Sequence, residues 1–193
     1  MSDYPDASRD VRDDDAESTS VSKSCKKVSR RTLDKIAESL NCSITEDRSP
    51  EPRSTQAVVQ TEKGEYVMFT QREYNCFDDE IHAMDKKYRV WISERHIGDQ
   101  SSGEEADEGI HAEMLAISFW LQGRINRPTA IGVSKSICPR CWEVLKYYGV
   151  ERREQMEDNT PNWVHPSRHA GQEPPEGLSH LPQKVTKNRE YDW

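Results

Sequence analysis

One histidine and two cysteines constrain this chain most, because all three side chains are metal ligands that the fold has to bring together. The sequence reads His111-Ala112-Glu113 at the start of an apolar segment, and Cys138-Pro139-Arg140-Cys141 begins 27 residues after the histidine. One imidazole and two thiolates occupy three positions of a tetrahedral zinc ion and leave the fourth open to water. A structural zinc site would fill that position with a fourth protein ligand. The pattern therefore indicates a catalytic zinc site.

Glu113 strengthens this interpretation by its offset from the histidine. Two residues is too short a step for both side chains to share one metal ion comfortably from the same helical turn. The carboxylate is instead well placed to accept and return protons beside a water at the open position. The alternative is a structural zinc site that uses the same Cys-x-x-Cys pair and another histidine. The sequence has no second Cys-x-x-Cys pair, which favours the catalytic interpretation.

The composition separates an acidic tail from a folded domain. Hydrophobic residues make up 33% of the 193 residues and charged residues 32%, which is a low apolar content for a compact protein. Residues 1–28 have few apolar side chains and cannot bury enough surface to offset chain entropy, so we predict a disordered acidic tail there. A partner-binding tail is the alternative. Residues 29–193 form the predicted domain, with its core at about residues 55–170.

The sequence favours a reducing compartment and no membrane partner. No apolar run reaches the roughly 20 residues that cross a bilayer, and the polar N-terminus lacks the apolar core of a Sec-type signal peptide. Five cysteines, two of them at metal spacing, argue against a disulfide framework. We expect a cytoplasmic or other reducing intracellular location, although a toxin exported by another route would look the same. The oligomeric state stays open.

The hydrophobic pattern predicts helices and strands in one mixed α/β domain. Helical spacing of apolar residues alternates with short runs rich in valine, isoleucine and aromatic residues. The predicted elements are a helix over residues 30–41, a linker over 43–55, a hairpin of 57–59 and 66–69, a partly helical stretch, a strand over 88–93, a loop over 98–109, a buried helix over 112–122, a strand over 129–133, a helix over 138–149 and a short strand over 163–165.

The last helix–strand–helix unit explains how ligands far apart in sequence can meet. His111 precedes one predicted helix and Cys138 opens the next, with a single strand between them. Both helix N-termini should therefore lie at one edge of the sheet. Their dipoles favour a thiolate over a thiol at that edge.

The motif residues resemble the signature of the zinc nucleobase deaminases, H-x-E followed by P-C-x-x-C. The segment Ile131-Gly132-Val133-Ser134-Lys135, which leads to the cysteines, is most similar to the bacterial toxin deaminases and their fungal relatives. The family usually has proline immediately before the first cysteine, whereas this chain has Ile137 there and Pro139 between the cysteines. The resemblance to this cytidine-deaminase-like superfamily covers about residues 105–150.

The resemblance implies an α/β fold of the cytidine-deaminase-like type, with three αβα layers, a mixed central sheet and zinc at the N-termini of two helices. It also implies a hydrolytic deaminase that depends on Zn²⁺. The residues that it assigns are His111, Cys138 and Cys141 as metal ligands, Glu113 as the catalytic proton carrier, and the backbone of Ala112 and the carbonyl of Ser136 as contacts to the base.

Cytosine in a nucleic acid is the favoured substrate, because the subfamily that this chain resembles acts mostly on polynucleotides. DNA is preferred to RNA on the resemblance alone, and the base would be taken from a single strand or flipped out of a duplex. The net charge of −8 is unlike that of a simple nucleic-acid binder. Residues 111–193, however, carry ten acidic and eleven basic side chains. Lys135 and Arg140 flank the ligands and could contact phosphate.

Further pocket residues and other functions stay open at this point. Trp91, near the end of a predicted strand, is a candidate for stacking on a base, and His165 or His169 is a candidate for the pocket. A free nucleoside or an adenine base is the alternative substrate. The alternative outside enzymes is a zinc-stabilised domain of the deaminase fold that only binds a partner.

Overall fold

The computed structural model of the protein describes residues 27–45, 55–70, 77–97, 110–154 and 162–185. The predicted tail over residues 1–28 lies almost wholly outside this part of the chain, as do the predicted loop over 98–109 and residues 186–193. The elements in chain order are α1 (Arg30–Thr45), β1 (Gln56–Thr61), β2 (Tyr66–Thr70), α2 (Phe77–Tyr88), β3 (Ile92–Ile97), α3 (Ala112–Leu121), β4 (Pro128–Val133), α4 (Pro139–Tyr147), β5 (Trp163–Val164), α5 (Pro166–His169), a 3₁₀ turn (Glu176–Leu178) and β6 (Lys184–Val185).

The central sheet is mixed and has the strand order β3-β2-β1-β4. Strand β1 is antiparallel to both β2 and β4, whereas β3 is parallel to β2. The pairing of Val59 with Val67 confirms the predicted hairpin. After α4 the chain returns beside β4 and forms a parallel bridge between Ala130 and Glu151. Strands β5 and β6 form a separate antiparallel pair.

Side chains alternate between the two faces of this sheet, so that helices cover both faces. Ala57 and Val59 face a core that includes α3 and α4, whereas Val58 faces a second core that includes α1. The partly buried residues Ile81 and Tyr88 of α2 pack against this second core. Helices α1 and α2 therefore lie on one face, and α3 and α4 lie on the other. The predicted three-layer αβα fold is confirmed.

Helix α1 has the predicted buried face but extends beyond the predicted end. Its apolar residues Leu33, Ile36, Ala37 and Leu40 are fully buried, and the Ser29 hydroxyl accepts a hydrogen bond from the backbone N–H of Thr32 as a helix cap. The helix continues to Thr45 because no glycine or proline occurs before Pro50. None of the helices in the described part of the chain is long and apolar enough to cross a membrane.

The predicted strand over residues 88–93 is displaced in the structure. Tyr88 is the last residue of α2, and β3 begins only at Ile92. Arg89 separates the two elements with a positive φ of 55°. Tyr88 and Val90 have side chains that favour strands, but here they pack at a helix end and a turn beneath the sheet. Burial has overridden local propensity at these positions.

Val133 is the last residue of β4, and its outer edge is bonded to side chains rather than to a further strand. The backbone N–H of Val133 donates to the Asp34 carboxylate over 3.2 Å, and the Arg153 guanidinium donates to the Val133 carbonyl over 3.4 Å. Arg30 and Arg153 also pair with Asp34. Burial raises the pKa of the Asp34 carboxyl, and the hydrogen bond from Val133 opposes that shift. These contacts attach α1 to the strand that leads to the cysteines.

Gly132 provides the first testable prediction, because α1 crosses β4 directly above it. A Cβ atom at this position would lie 2.1 Å from the carbonyl carbon of Leu33. Helix backbone cannot move away without disturbing the whole layer, so we expect Gly132→Ala to lower the free energy of unfolding by about 1–3 kcal/mol. Urea unfolding of the purified protein measures this change.

Gly177→Ala is the matched control for this prediction. Its Cβ would meet the ring of Tyr147 at 2.5 Å, but that side chain is 48% exposed and can rotate away. The control should therefore lose much less stability than Gly132→Ala. Equal losses in the two variants would contradict the close approach of α1 to β4.

Candidate active site

The three predicted ligands meet at the N-termini of α3 and α4. His111 is the residue that caps α3, Cys138 caps α4, and Cys141 lies in the first turn of α4. One ligand atom from each side chain lies within 4.8 Å of the other two, and the Nδ1 atom of His111 is 3.3 Å from the Sγ atom of Cys141. Cys138 and Cys141 are buried and His111 is half-buried. The two helices thus present one imidazole and two thiols to a common point.

Local sequence explains how the chain reaches this arrangement after β4. The backbone of Gln56 at the start of β1 exchanges hydrogen bonds with Ser134, which fixes the chain as it leaves β4. Ile137 is fully buried and anchors the residue before the first cysteine. Pro139 then occupies the first turn of α4, where its missing N–H leaves no hydrogen bond unmade. The proline between the cysteines therefore favours the start of the ligand helix.

Backbone and indole groups orient two of the ligands. The Nε2 atom of His111 is 3.1 Å from the carbonyl oxygen of Asn162, so Nε2–H donates there and Nδ1 faces the sulfurs. The indole N–H of Trp163 donates to the Sγ atom of Cys141 over 3.2 Å, and the backbone N–H of Cys141 donates to the Sγ atom of Cys138 over 3.4 Å. Metal ligands are commonly oriented in this way by hydrogen bonds from behind.

Glu113 is buried beside the ligands and has one unused oxygen. Its side chain is 2% exposed, and its Oε1 atom lies 3.8 Å from the Nδ1 atom of His111. The Oε2 atom is buried and has no hydrogen-bond partner among the described residues. A buried carboxylate oxygen without a donor is costly, and such an atom in a native protein calls for a partner such as water or a ligand. The free oxygen is therefore suited to hold a proton-bearing group at this site.

The site side chains shift one another's pKa values. Burial opposes a charge on His111, but hydrogen bonds to Cys138 and Glu113 outweigh it and raise the pKa of the imidazole to about 10. Burial also opposes ionisation of Glu113, yet the hydrogen bond with His111 keeps the pKa of its carboxyl below the usual value. A hydrogen bond from Cys141 lowers the pKa of the Cys138 thiol to about 4. Burial holds the pKa of the Cys141 thiol well above its usual value.

The donor set fits zinc on these observations. One imidazole and two sulfurs are within mutual reach, and the described residues contribute no fourth histidine, cysteine or carboxylate to the group. Nitrogen and sulfur ligands in this number are typical of a zinc site that keeps one position open. The carboxylate of Glu113 lies beside the group and is not one of its members.

The other residues that we predict to contact a substrate lie close to the ligands in the chain. Ala112 is fully buried in the first turn of α3, and Ser136 is half-buried just before Ile137. Lys135 is exposed in the same segment, and Arg140 is half-buried in the first turn of α4. The fold thus places all four of these residues within three positions of a metal ligand. Their contacts to a substrate stay predictions.

The structure does not bring Trp91 to this site. Trp91 precedes β3, whose first residue Ile92 pairs with Tyr66 at the start of β2. Tyr66 pairs with Gln60 of β1, and Gln60 pairs with Ala130 of β4. The cysteines follow Val133, at the other end of β4. Trp91 is therefore at the opposite end of the sheet, where it is 58% exposed. Its position does not support stacking on a base at the metal group, and that role stays a prediction.

The two candidate pocket histidines occupy different environments. His165 is fully buried, its Nδ1 atom accepts a hydrogen bond from the backbone N–H of Ser167, and its ring packs edge-to-face on Trp163. Burial lowers the pKa of His165, which keeps the imidazole neutral. The Nδ1 atom of His169 lies 2.7 Å from the Ser118 hydroxyl and attaches α5 to α3. A pocket role for either histidine stays a prediction.

Comparison with protein families supports the chemistry that this geometry indicates. A family model described as an OTT_1508-like deaminase matches residues 110–167, a little under a third of the chain. The matched segment contains His111, Glu113, both cysteines and β5. Over this segment the chain is similar to the cytidine-deaminase-like superfamily. Comparisons with curated proteins and with solved structures gave no significant match. The narrower likeness to bacterial toxin deaminases stays a prediction.

Two residues of this candidate site were not identified from the sequence. Asn162 contributes a backbone carbonyl, which carries no sequence signal at all. Trp163 contributes an indole N–H from a predicted strand that lies 22 residues after its partner Cys141. A tryptophan in a short apolar run usually indicates a core residue, so only the folded chain shows the contact with sulfur.

The metal site gives the second prediction. Purified protein equilibrated with zinc should bind one ion per chain, and His111→Ala or Cys141→Ser should lose it, because either change leaves too few ligands. Metal content after dialysis, measured by mass spectrometry, reports the stoichiometry. His180→Ala is the matched control, since His180 is exposed and pairs with Glu143 away from the group. Zinc retained at full occupancy by both ligand variants would refute the site.

Proposed function

We propose that this protein is a zinc-dependent hydrolytic deaminase that converts cytosine to uracil in a nucleic acid, with DNA as the preferred polymer. The observation that carries the proposal is the buried Glu113 carboxylate, with an unpartnered Oε2 atom, beside three metal-binding side chains. A structural zinc site has no use for such a group. Its burial without a donor would cost roughly 1–3 kcal/mol and bring no benefit to the fold.

His111, Cys138 and Cys141 would hold the ion, and zinc so bound supplies water of lowered pKa. Glu113 would take a proton from that water and deliver it to the ring nitrogen of the base, which makes the adjacent ring carbon more electrophilic. A C–O bond forms at this carbon, and the exocyclic C–N bond breaks. Glu113 would then carry the proton of the newly added hydroxyl group to the departing amine, which leaves as ammonia while the ring carbon becomes a carbonyl.

The base would be held by backbone groups that adjoin the ligands. In the enzymes that this chain resembles, the backbone at the positions of Ala112 and Ser136 contacts the base. Ala112 lies in the first turn of α3 and Ser136 lies two residues before Cys138, so each adjoins the metal group along the chain. We propose the same contacts here. Such contacts would orient the ring with its amine toward Glu113.

Basic residues near the ligands support a polymeric substrate. Lys135 is exposed and Arg140 is half-buried, and each lies within three residues of a cysteine ligand. Residues 111–193 are close to neutral, with ten acidic and eleven basic side chains, whereas the chain as a whole carries −8. Phosphates could therefore approach this side of the molecule. A target base in a duplex would have to be flipped out to reach a buried carboxylate.

Glu113→Gln is the third prediction and tests the reaction itself. The amide has nearly the same shape but cannot carry the proton, so turnover should fall by about 10²–10⁴-fold while zinc content is unchanged. Formation of uracil in the polymer is followed by sequencing or chromatography after incubation of the enzyme with its substrate. Glu143→Gln is the matched control, because Glu143 is exposed on α4. Equal activity of Glu113→Gln and wild type would refute the proposed role.

A substrate panel separates the remaining alternatives. Single-stranded DNA, duplex DNA, RNA, cytidine and adenosine are each incubated with wild type and with Glu113→Gln. Uracil in one polymer supports the proposal, product from free cytidine indicates a nucleoside enzyme, and inosine indicates an adenine deaminase. Absence of product from every substrate, with one zinc bound per chain, would favour a domain that binds a partner without catalysis.

Lys135→Ala gives the fourth prediction, which concerns the polymer alone. Loss of one phosphate contact should raise KM for a polynucleotide and lower the slope of log affinity against log salt by about 0.7 for a single strand. The kcat value should change little, because Lys135 does not carry the reaction. Lys63→Ala in the β1–β2 turn is the control, since that turn lies at the other end of the sheet. The same effect in both variants would argue against a local phosphate contact.

A further inference from the structure

We infer that Trp163 is a positioning residue for the metal site: its indole N–H fixes the Cys141 sulfur and stabilises that sulfur as a ligand. The inference rests on the proposed zinc site and adds to it a residue that never touches the ion. The Nε1 atom of Trp163 lies 3.2 Å from the Sγ atom of Cys141, and both side chains are fully buried. An indole nitrogen can only donate, so the hydrogen bond runs from nitrogen to sulfur.

The two cysteine ligands differ in how the backbone supports them. Cys138 caps α4, and its sulfur accepts the backbone N–H of Cys141 over 3.4 Å at the positive end of the helix. Cys141 lies inside the first turn, where the described structure gives its sulfur contacts with Trp163 and with the ring of His111. The indole N–H therefore stabilises the Cys141 sulfur, as the helix N-terminus stabilises the Cys138 sulfur. Such hydrogen bonds favour the thiolate that binds metal.

Strand β5 carries this contact together with the one to the histidine. The carbonyl of Asn162 accepts from the Nε2 atom of His111, and the next residue, Trp163, donates to Cys141. Consecutive residues of one segment thus orient two of the three ligands from behind. The ring of His165 packs edge-to-face against the indole with centroids 5.5 Å apart and limits its rotation.

Strand β6 in turn holds β5 in place. Trp163 pairs with Val185, and the backbone N–H of His165 donates to the carbonyl of Gln183. Val185 of β6 and the preceding Gln183 lie beyond residue 167, where the match to the deaminase family model ends. The segment after the matched region therefore supports the ligand geometry through β5.

Trp142 separates the effect of the hydrogen bond from the effect of the tryptophan ring. Trp142 is the residue after Cys141 and packs against the same core, with Arg152 over its ring at 4.4 Å. Its indole nitrogen is buried and has no hydrogen-bond partner within the part of the chain that the structure describes. Replacement of either tryptophan by phenylalanine removes similar volume from the core. Only the change at Trp163 removes a hydrogen bond to a ligand.

Trp163→Phe is therefore the test, with Trp142→Phe as the matched control. Zinc affinity is measured by competition with a chelator, and the Co²⁺-loaded proteins are compared by the thiolate-to-metal charge-transfer band in the near ultraviolet. Loss of a hydrogen bond behind a metal ligand typically costs about 10–100-fold in metal affinity. We expect that loss and a shifted band for Trp163→Phe, and affinity and spectrum of wild type for Trp142→Phe. Circular dichroism verifies that both variants fold.

A second measurement uses the unaltered chain and needs no variant to fold. In protein loaded with ¹¹³Cd, the indole proton of one tryptophan should show scalar coupling to the metal through the N–H···S contact. Absence of this coupling, or affinity and spectrum of wild type in a folded Trp163→Phe, would overturn the inference and leave the zinc site standing. Failure of the wild type to bind zinc, Co²⁺ or Cd²⁺ would overturn the zinc site and the role of Trp163 together.

Discussion

The convergence of His111, Cys138 and Cys141 is the constraint on which the rest of this structure depends. Their donor atoms lie within 4.8 Å of one another, which requires α3 and α4 to begin at the same edge of the sheet. Helix α3 can meet this requirement because residues Ala112 to Phe119 are all buried, so packing on every side fixes its position. Strand β4 also helps to meet this requirement, because it ends immediately before the segment that carries the cysteines. The three layers serve to hold two helix N-termini together.

Polar support for this cluster comes from parts of the chain that are remote in sequence. Asp34 and Arg153 hold the last residue of β4, while Asn162 and Trp163 hold two ligands from β5. Buried polar groups of this kind are worth most when every partner is satisfied. Among the described residues, the Oε2 atom of Glu113 is buried beside the ligands without a hydrogen-bond partner. An unpaired carboxylate oxygen next to three metal-binding side chains is suited to hold a proton-bearing group.

Much of the fold could be predicted from local pattern, and the failures have a common cause. The buried face of α1, the β1–β2 hairpin, buried α3 and the start of α4 all follow from periodicity and turn residues, which act over short distances. Tyr88, Val90 and Trp91 favour a strand by propensity, yet α2 ends at Tyr88 and β3 begins at Ile92. Trp91 consequently lies at the wrong end of the sheet for the predicted stacking role. Which end a residue occupies depends on strand register and direction, and neither is encoded locally.

The sequence by itself determined the ligand types, their spacing and the presence of Glu113, because metal chemistry depends on residue identity and the motif is contiguous on each helix. It also determined that two helix N-termini would carry the motif. Only the tertiary structure decided which groups stand behind the ligands. The Asn162 carbonyl is common to every residue type, and the Trp163 N–H reaches Cys141 only once β5 has packed beside α4. Contacts of this kind depend on the three-dimensional position of whole elements, which no short stretch of sequence specifies.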